Sequence, residues 1–303
     1  MIITATPLRL AILGGNTDFP KYFKKYGGAG LTATIDKYIY CIVSKRFDKD
    51  IMINYSIKEI VNDVKDIKHD LVREAMKLIG VKDGIEITFL SDIPSEGSGL
   101  GSSSALVVGL LNALHHYKND PVTSRQLAEE ACKIEIDILK NPIGYQDQYA
   151  VAFGGCNLIE YGKEITFRPF ELNEECLLLF YTGIARKTTD VLSKLKLNKK
   201  ILDKNKSLVY RAGKEMLSVL LNESWEMKKK LNPLTTNKDI DTMYQTAMSL
   251  GALGGKIIGA GGGGFLLVVV PVKDQYEFRK YFSLKELPFH LSRHGSKVIF
   301  NSL

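Results

Sequence analysis

Cysteine and proline are scarce in this sequence of 303 residues, which contains four cysteines and nine prolines. So few cysteines, none in a Cys-x-x-Cys spacing, exclude a disulfide framework in a chain of this length and predict reduced core residues. The four are Cys41, Cys132, Cys156 and Cys176. Because 45% of the residues are hydrophobic and 25% are charged, collagen-like and disordered chains are also excluded. The length predicts one large globular domain or two lobes.

Long hydrophobic runs are absent as well. No stretch reaches the roughly 18 apolar residues that a membrane-spanning helix needs, and the apolar segment 265–272 has the length of a strand. Residues 1–7 lack the basic region, the longer apolar stretch and the cleavage site of a secretory signal. We therefore expect a cytoplasmic protein that has no membrane partner.

The net charge of +7 comes entirely from the part of the chain beyond residue 150. Much of that excess lies in two lysine-rich segments, 194–200 and 228–230. No zinc finger, aromatic RNA platform or helix-turn-helix signature accompanies them, so we interpret them as solvated helix faces and expect no nucleic-acid partner. A general attraction for small anionic substrates remains compatible with this charge.

Hydrophobic periodicity predicts a mixed α+β chain. The predicted strands span 4–13, 33–44 and 85–90. The predicted helices span 57–79, 102–117 and 124–139, and Thr123 or Ser124 caps the last of them. Strands dominate 156–181 and helices dominate 190–248. A strand at 256–272, a helix at 275–281 and a strand at 288–300 then follow, an order typical of a ferredoxin-like lobe.

A glycine- and serine-rich segment, residues 94–105 (PSEGSGLGSSSA), lies between a predicted strand and a predicted helix. Glycines let backbone N–H groups approach a polyanion, and a helix N-terminus adds its positive dipole end. The serines can cap the helix or offer hydroxyls to phosphate oxygens or Mg²⁺. We therefore favour a phosphate cradle over a plain glycine turn. No lysine follows the glycines, which excludes a P-loop.

Two further glycine-containing segments stand out. Residues 259–264 (GAGGGG) fit the dinucleotide pattern Gly-x-Gly-x-x-Gly, but the strand-like FLLVVV follows where that motif requires a helix. Four successive glycines instead predict the close approach of another backbone or of a ligand. In residues 9–20 (RLAILGGNTDFP) a strand carrying Arg9 ends in two glycines and is followed by Thr17 and Asp18. This aspartate either caps a helix or binds sugar hydroxyls.

Together the three segments resemble the motifs of the GHMP kinases, named for galactokinase, homoserine kinase, mevalonate kinase and phosphomevalonate kinase. Their order and spacing cover nearly the whole chain. The resemblance implies an α+β GHMP kinase fold with ATP bound between two lobes. Residues 1–160 would form an N-terminal lobe similar to ribosomal protein S5 domain 2, and residues 161–303 a C-terminal ferredoxin-like lobe.

The same resemblance implies which residues bind the nucleotide and the metal. Ser103 matches the Mg²⁺-binding serine of the family. Glu135 matches the acidic residue that completes metal binding in mevalonate kinase, although an ordinary surface glutamate is the alternative. The ATP phosphates would lie on Gly97, Ser98, Gly99, Leu100, Gly101, Ser102, Ser103 and Ser104.

Asp147 matches the catalytic aspartate of the family. It lies in the uncharged segment 143–149 (IGYQDQY), after Asn141 and Pro142, which should end the preceding helix. A carboxylate there can accept the proton of an attacking hydroxyl, or it can simply cap a helix. Arg9 matches the cationic partner of galactokinase-like members. Its planar fork can stabilise either the transferring phosphoryl group or the ionised form of Asp147.

Less specific matches supply candidates for binding the acceptor. Asn16 stands where relatives usually carry a third glycine, and asparagine is the residue best suited, after glycine, to left-handed φ. For a distal phosphate on the acceptor the candidates are Arg186 and Lys187, with a solvated basic turn as the alternative. The remaining candidates are Gly15, Thr17, Asp18, Gly262 and Gly263.

Within the superfamily, segments 6–9, 14–20, 34–38 and 144–149 most resemble the kinases of D-glycero-D-manno-heptose 7-phosphate. That likeness implies phosphorylation of the anomeric C1 hydroxyl by ATP with Mg²⁺, giving the 1,7-bisphosphate. The alternatives are a GHMP kinase acting on an unphosphorylated fucose- or galactose-like sugar and a catalytically silent nucleotide-binding regulator. We expect a small sugar phosphate as partner and leave a homodimer open.

Overall fold

The computed structural model of the protein describes residues 1–93, 97–186 and 188–302. Within these residues the larger sheet has eight strands: β1 (Ile2–Leu13), β2 (Gly28–Lys45), β3 (Ile51–Asn54), β4 (Lys58–Val61), β5 (Ile85–Ser91), β6 (Cys156–Tyr161), β7 (Ile165–Pro169) and β12 (Lys297–Asn301). Six of them follow the order β12-β1-β2-β5-β3-β4, while β6 pairs with β2 and β7. β3 and β5 run parallel, and the other pairs are antiparallel.

β2 organises this sheet because it is long enough to pair with three strands. Residues 28–33 pair with β6, residues 39–45 pair with β5, and β1 lies along the other edge. Nearly every residue of β1 is buried, which places Arg9, opposite Thr34, inside the molecule. The backbone N–H of Arg9 donates to the Leu100 carbonyl, so the glycine-rich loop is tied to the strand that carries the arginine.

The helices of the N-terminal part are α1 (Pro20–Tyr26), α2 (Asp70–Ile79), α3 (Ser102–Tyr117), α4 (Ser124–Cys132) and α5 (Gln146–Phe153), of which α3 and α5 pack directly against β1 and β2. The central helix α3 is buried over most of its length and packs against β1 and β2. Gly109 allows this close approach, because its carbonyl accepts a hydrogen bond from Thr4 and a Cβ atom there would lie 2.6 Å from the Thr6 hydroxyl. As predicted, Thr123 caps α4.

The smaller sheet comprises β8 (Leu177–Tyr181), β9 (Gly254–Ile257), β10 (Phe265–Val269) and β11 (Lys285–Glu286). Its antiparallel order is β11-β8-β10-β9, which is the 4-1-3-2 arrangement of a ferredoxin-like lobe. Helices connect the first to the second strand and the third to the fourth. They are α6 (Thr188–Leu192), α7 (Lys199–Arg211), α8 (Leu217–Leu231), α9 (Lys238–Ser249) and α10 (Gln275–Tyr281).

The two sheets share one hydrophobic core. Residues from α7, α8 and β10 pack in the same cluster as β1, β2 and α3. A second cluster, which includes Phe180, Trp225 and Phe278, lies under the smaller sheet. β7 and β12 both pair within the larger sheet, although they lie beyond residue 160. The division of the chain at 160/161 therefore stays a prediction. No helix in the described part of the chain is long and apolar enough to cross a membrane.

Three local predictions were wrong. The helix predicted over 57–79 is confined to α2, because residues 58–61 form β4 against β3 and leave Ile57 and Ile60 exposed. The strand predicted over 288–300 is confined to β12. Lys228, predicted on a solvated helix face, is 8% exposed, because it points from α8 into the space between the sheets.

Candidate active site

A cavity of about 900 Å³ lies between the two lobes and contains most of the predicted site residues. The glycine-rich loop and α3 form one wall, and the turn after β1 forms another. The start of α5 and residues of α8 and β9 complete the lining. The fold thus brings residues separated by up to 250 positions in the sequence to one site.

The glycine-rich loop has a backbone that only glycine adopts readily. Gly97, Gly99 and Gly101 have φ angles of 69°, 72° and 78°. Gly101 is the N-cap of α3, and no side chain among the described residues caps that end of the helix. The N–H groups in the first turn of α3 and its positive dipole end are therefore available to an anion. Gly97, Ser98, Gly99, Gly101, Ser102, Ser103 and Ser104 line the cavity. Leu100 is fully buried and anchors the loop.

The second glycine loop supports the first one by direct backbone contact. A Cβ atom at Gly259 would overlap the Gly99 carbonyl oxygen, and one at Gly264 would overlap the Ser98 carbonyl oxygen. Only glycine leaves room for the two loops to pack this closely. The predicted close approach of another backbone is therefore confirmed. Gly262 and Gly263 are absent from the described lining of the cavity and pack instead against the backbone of Leu234 and Ile184.

Arg9 and Asp147 form a bidentate ion pair at the mouth of the phosphate loop. Arg9 Nε donates to Asp147 Oδ1 at 2.7 Å and Nη2 donates to Oδ2 at 2.5 Å. Arg9 Nη1 donates to the Gly99 carbonyl at 2.6 Å, so the same guanidinium connects the carboxylate with the loop. Arg9 is 4% exposed, whereas the Asp147 side chain is 30% exposed toward the cavity. The carboxylate is thus held in place and remains accessible to a substrate.

Glu135 is buried beside the first turn of α3. It lies on a π-helical continuation of α4, Lys133–Ile138, a geometry often found at functional sites. Ser103 and Ser104 donate to its two carboxylate oxygens at 2.6 and 2.8 Å, and Gln148 donates at 2.6 Å. Burial raises the pKa of Glu135 against the lowering effect of these three hydrogen bonds. The alternative of an ordinary surface glutamate was wrong, since Glu135 is 1% exposed.

The turn after β1 places Gly15, Asn16 and Asp18 in the cavity lining. Asn16 adopts a φ of 69°, as its place in the glycine turn predicted. Asp18 Oδ2 accepts a hydrogen bond from the Gln146 backbone N–H at 3.0 Å, one residue before Asp147. Burial, reinforced by the nearby Asp147 charge, raises the pKa of Asp18 to about 6. The turn and the start of α5 are thereby locked together.

Thr17 and the candidates for a distal phosphate lie elsewhere. Thr17 is fully buried, and its hydroxyl bonds the carbonyls of Gly14 and Ala29, so it shapes the turn rather than facing the cavity. Arg186 is exposed and outside the cavity lining, with its backbone N–H beside Gly97. Lys187 lies outside the described residues.

An aromatic wall at the far end of the phosphate loop was missed in the sequence. Tyr55, His69 and Phe89 line the cavity, and the His69 ring lies edge-on to Tyr55 at 4.8 Å and stacked on Phe89 at 6.2 Å. His69 Nδ1 is buried without a hydrogen-bond partner among the described residues, and burial lowers its pKa. No sequence signal indicated this wall, because two of its residues fall in or before the segment wrongly predicted as one helix.

Two buried lysines at the cavity floor were also missed. Lys228 Nζ donates to the carbonyls of Ile257 and Gly259 at 2.8 and 2.6 Å. Burial, with repulsion from Lys256 and Arg9, lowers the pKa of Lys228 well below its usual range. Helical spacing from Trp225 places Lys228 on the buried face of α8, but it places Lys229 there as well, so it does not single out Lys228.

Lys256 reaches the same floor from β9. Its Nζ donates to the Ile12 carbonyl at 3.0 Å and to the Ser224 hydroxyl at 3.4 Å. Burial and the Arg9 charge lower the pKa of Lys256 to about 7. Ser224 in turn donates to Asn205, whose amide holds the Gly15 carbonyl at 2.6 Å. The lysines thus extend the site from the phosphate loop to the turn after β1.

Comparison with known proteins agrees with this geometry. Residues 64–155 match the GHMP kinases N terminal domain, and residues 207–282 match the GHMP kinases C terminal domain. The D-glycero-alpha-D-manno-heptose 7-phosphate kinase of Campylobacter jejuni subsp. jejuni is 34% identical to this chain, and the match covers 92% of each protein.

Solved structures give the same result. A D-glycero-D-manno-heptose 1-phosphate kinase from Bacteroides thetaiotaomicron matches with a TM-score of 0.78 and 26% identity, over 100% of both chains. Streptococcus pneumoniae phosphomevalonate kinase matches with a TM-score of 0.80 over 96% of this chain and 100% of that one, but at 14% identity it shows the fold alone. The chain therefore belongs to the GHMP kinases and is an ATP-dependent sugar kinase.

Proposed function

We propose that this kinase transfers the γ-phosphoryl group of ATP to the anomeric C1 hydroxyl of D-glycero-D-manno-heptose 7-phosphate in the cytoplasm, giving the 1,7-bisphosphate. The observation that carries the proposal is the Arg9–Asp147 pair, which joins the phosphate loop through Gly99 and faces the cavity beside the turn 15–18. The choice of sugar rests on the heptose phosphate kinases among the relatives. The names of these relatives give different phosphate positions on the acceptor: position 7 in the Campylobacter jejuni protein and position 1 in the Bacteroides thetaiotaomicron protein.

The donor half of the cavity fits ATP. The N–H groups at the start of α3 and the glycine loop would hold the phosphates. The apolar surface of Tyr55, His69 and Phe89 is suited to stacking with the adenine ring.

The residues beside the phosphate loop also fit Mg²⁺. The described residues contain no group of three or more metal-ligating side chains. Mg²⁺ typically uses one or two carboxylates together with substrate phosphates, so Ser103 and Glu135, 2.6 Å apart at the loop, would be sufficient. When bound, Mg²⁺ would neutralise charge on the ATP phosphates.

In the reaction, Asp147 would accept the proton of the C1 hydroxyl as that oxygen forms its bond to the γ-phosphorus. The bond between the γ-phosphorus and the β–γ bridging oxygen breaks, and ADP leaves. The Arg9 guanidinium holds the Asp147 carboxylate in orientation and would stabilise negative charge on the transferring group. Most of the acceleration would come from positioning and electrostatics, because such transition states are largely dissociative.

The experiment is a substrate panel. ADP release from Mg·ATP is measured with D-glycero-D-manno-heptose 7-phosphate, the corresponding 1-phosphate, fucose, galactose, mannose and mevalonate, and any product is analysed by ³¹P NMR. A new anomeric phosphate on the 7-phosphate alone is expected. Turnover of a free sugar, or of the 1-phosphate alone, would refute the proposed acceptor. Absence of turnover across the panel would favour the regulator alternative.

A further inference from the structure

The two lysines at the cavity floor have no counter-ion among the described residues. Lys228 and Lys256 are 8% and 4% exposed. Neither forms an ion pair with any carboxylate in the described part of the chain; all four of their hydrogen bonds go to neutral oxygens. Burial disfavours an ammonium group that has no counter-ion. An ammonium group has three N–H donors, so each lysine keeps one donor beyond these bonds.

The carboxylates of the cavity are already engaged elsewhere. Asp147 is bound by Arg9, and Glu135 is bound by two serines and a glutamine. Asp18 accepts the Gln146 N–H. An anionic ligand in the cavity would supply the counter-charge that these side chains do not provide, and would favour the protonated lysines.

The two lysines lie between the phosphate loop and the turn after β1. Lys228 bonds the carbonyl of Gly259, which packs against Gly99, and Lys256 is connected to the turn. Lys256 bonds the carbonyl of Ile12, three residues beyond Arg9 on β1, which is about 10 Å along a strand. Through Ser224 and Asn205 it is connected to Gly15 in the turn that faces the acceptor. The floor is thus connected to the turn whose Gly15 and Asp18 line the cavity together with Asp147.

We propose that Lys228 and Lys256 form a subsite for a phosphate monoester on the acceptor, at the end opposite the hydroxyl that receives the γ-phosphoryl group. The subsite rests on the proposed function only in that the acceptor is a sugar phosphate. It replaces Arg186, which lies outside the cavity lining. Each lysine donates its remaining N–H to the phosphate, and the phosphate supplies the missing counter-charge.

Ligand binding at the two lysines can be followed by tryptophan fluorescence. Its one tryptophan, Trp225, is fully buried, and Lys228 Nζ lies 5.8 Å from the centre of its ring. Tryptophan fluorescence is recorded while inorganic phosphate, D-glycero-D-manno-heptose 7-phosphate or the free heptose is added. Saturating Mg²⁺ and a non-hydrolysable ATP analogue keep the donor site filled. The titrations compare wild type with Lys228→Gln, Lys256→Gln and the control Lys230→Gln, which removes an exposed charge from the same helix.

Wild type and Lys230→Gln are expected to bind the heptose phosphate at least tenfold more tightly than the free heptose. Each buried-lysine substitution should remove that difference without weakening binding of the ATP analogue. Equal affinity of wild type for both sugars, or unchanged phosphate affinity in both variants, would overturn the subsite. Weaker nucleotide binding alone would overturn it too, by assigning the lysines to the donor.

Two controls separate loss of phosphate binding from loss of folding and from loss of turnover. Thermal unfolding checks each variant, and if Lys228→Gln does not fold, Lys256→Gln decides, with Lys256→Arg expected to restore phosphate binding. The readout needs no catalysis. A protein that binds phosphate through the two lysines but does not phosphorylate the heptose 7-phosphate would refute the proposed function and leave the subsite in place.

Discussion

At the scale of single residues, the Arg9–Asp147 pair is the centre of the proposed chemistry. Three N–H groups of one buried guanidinium bind the Asp147 carboxylate and the Gly99 carbonyl, so the carboxylate and the phosphate loop are positioned by the same side chain. Removing one member of a buried pair leaves the other uncompensated. Effects on catalysis therefore have to be separated from effects on folding.

Asp147→Asn should lower kcat by at least about 100-fold, the range in which general-base catalysis contributes, and leave the KM for ATP within about twofold. Steady-state kinetics at saturating Mg·ATP measures this, and a melting curve confirms the fold. Asp137→Asn, which removes an exposed carboxylate ten residues earlier, serves as control. Near-normal kcat in a folded Asp147→Asn protein would exclude the aspartate as the proton acceptor.

Asp18 predicts a dependence of stability on pH. Its pKa is about 6 in the folded protein, against 3.8 for an ordinary aspartate, because burial disfavours the charged form. The unfolded chain therefore loses the proton first, and stability falls as pH rises from about 4 through 6. Asp18→Asn keeps an acceptor for the Gln146 N–H but cannot ionise. It should be more stable than wild type, by up to about 3 kcal/mol at pH 8 and about half that at pH 5.

Urea unfolding of both proteins at the two pH values measures this difference. Asp120→Asn, at an exposed carboxylate, should show no such trend. The same Asp18→Asn substitution should weaken acceptor binding if the carboxylate contacts the sugar. A stability difference that stays constant between pH 5 and pH 8 would contradict the raised pKa.

At the scale of elements, the contact between the two glycine loops shapes the proposed nucleotide site. Gly259 and Gly80 both have left-handed φ angles, 69° and 73°. A Cβ atom at Gly80 meets nothing within 4 Å, whereas one at Gly259 overlaps Gly99. The two positions therefore separate backbone strain from collision with the phosphate loop.

Gly259→Ala should raise the KM for ATP at least tenfold, because the phosphate loop must shift to admit the methyl group. Gly80→Ala carries the strain of left-handed φ alone, about 1–2 kcal/mol, and should keep normal kinetics. ATP titration of both folded variants gives the comparison. Equal KM values in the two would show that the loop contact does not position the nucleotide.

Some helices and strands could be predicted from the sequence and others could not. Helix α3 and α10 were predicted at their observed bounds, because strong apolar periodicity or a clear boundary signal marks them. Residues 57–69 were wrongly predicted as helix, because the pairing of β4 with β3 outweighs the helical spacing of their apolar residues. The motif residues Arg9, Ser103, Glu135 and Asp147 could be proposed from the sequence, and the structure brings them together.

The aromatic wall and the two lysines could not be predicted from the sequence, for a physical reason. They come from β3–β5, α8 and β9, elements that meet only after both sheets have formed. Lys228 also lies in a run of three lysines, of which Lys230 is exposed as predicted and Lys229 is half-buried. Neither composition nor local periodicity distinguishes the one lysine that the packing of α8 turns inward.

At the scale of the whole molecule, the lobes form one structure. The larger core cluster contains residues of both sheets, and β12 returns from the C-terminal part to pair with β1. A chain with such a shared core should unfold in a single cooperative transition. Ligands bound between the lobes should then stabilise both lobes equally.

We therefore expect Trp225 fluorescence, which reports the smaller sheet, and far-UV circular dichroism, which reports the whole chain, to give the same unfolding midpoint. A Mg²⁺ complex of a non-hydrolysable ATP analogue at 100 times its Kd should stabilise the protein by about 2.7 kcal/mol and move both curves together. The Gly259→Ala variant at the same ligand concentration should show a smaller shift, because its affinity is reduced. Two separate midpoints, with only the circular dichroism curve moving, would instead show that the lobes unfold independently despite their shared core.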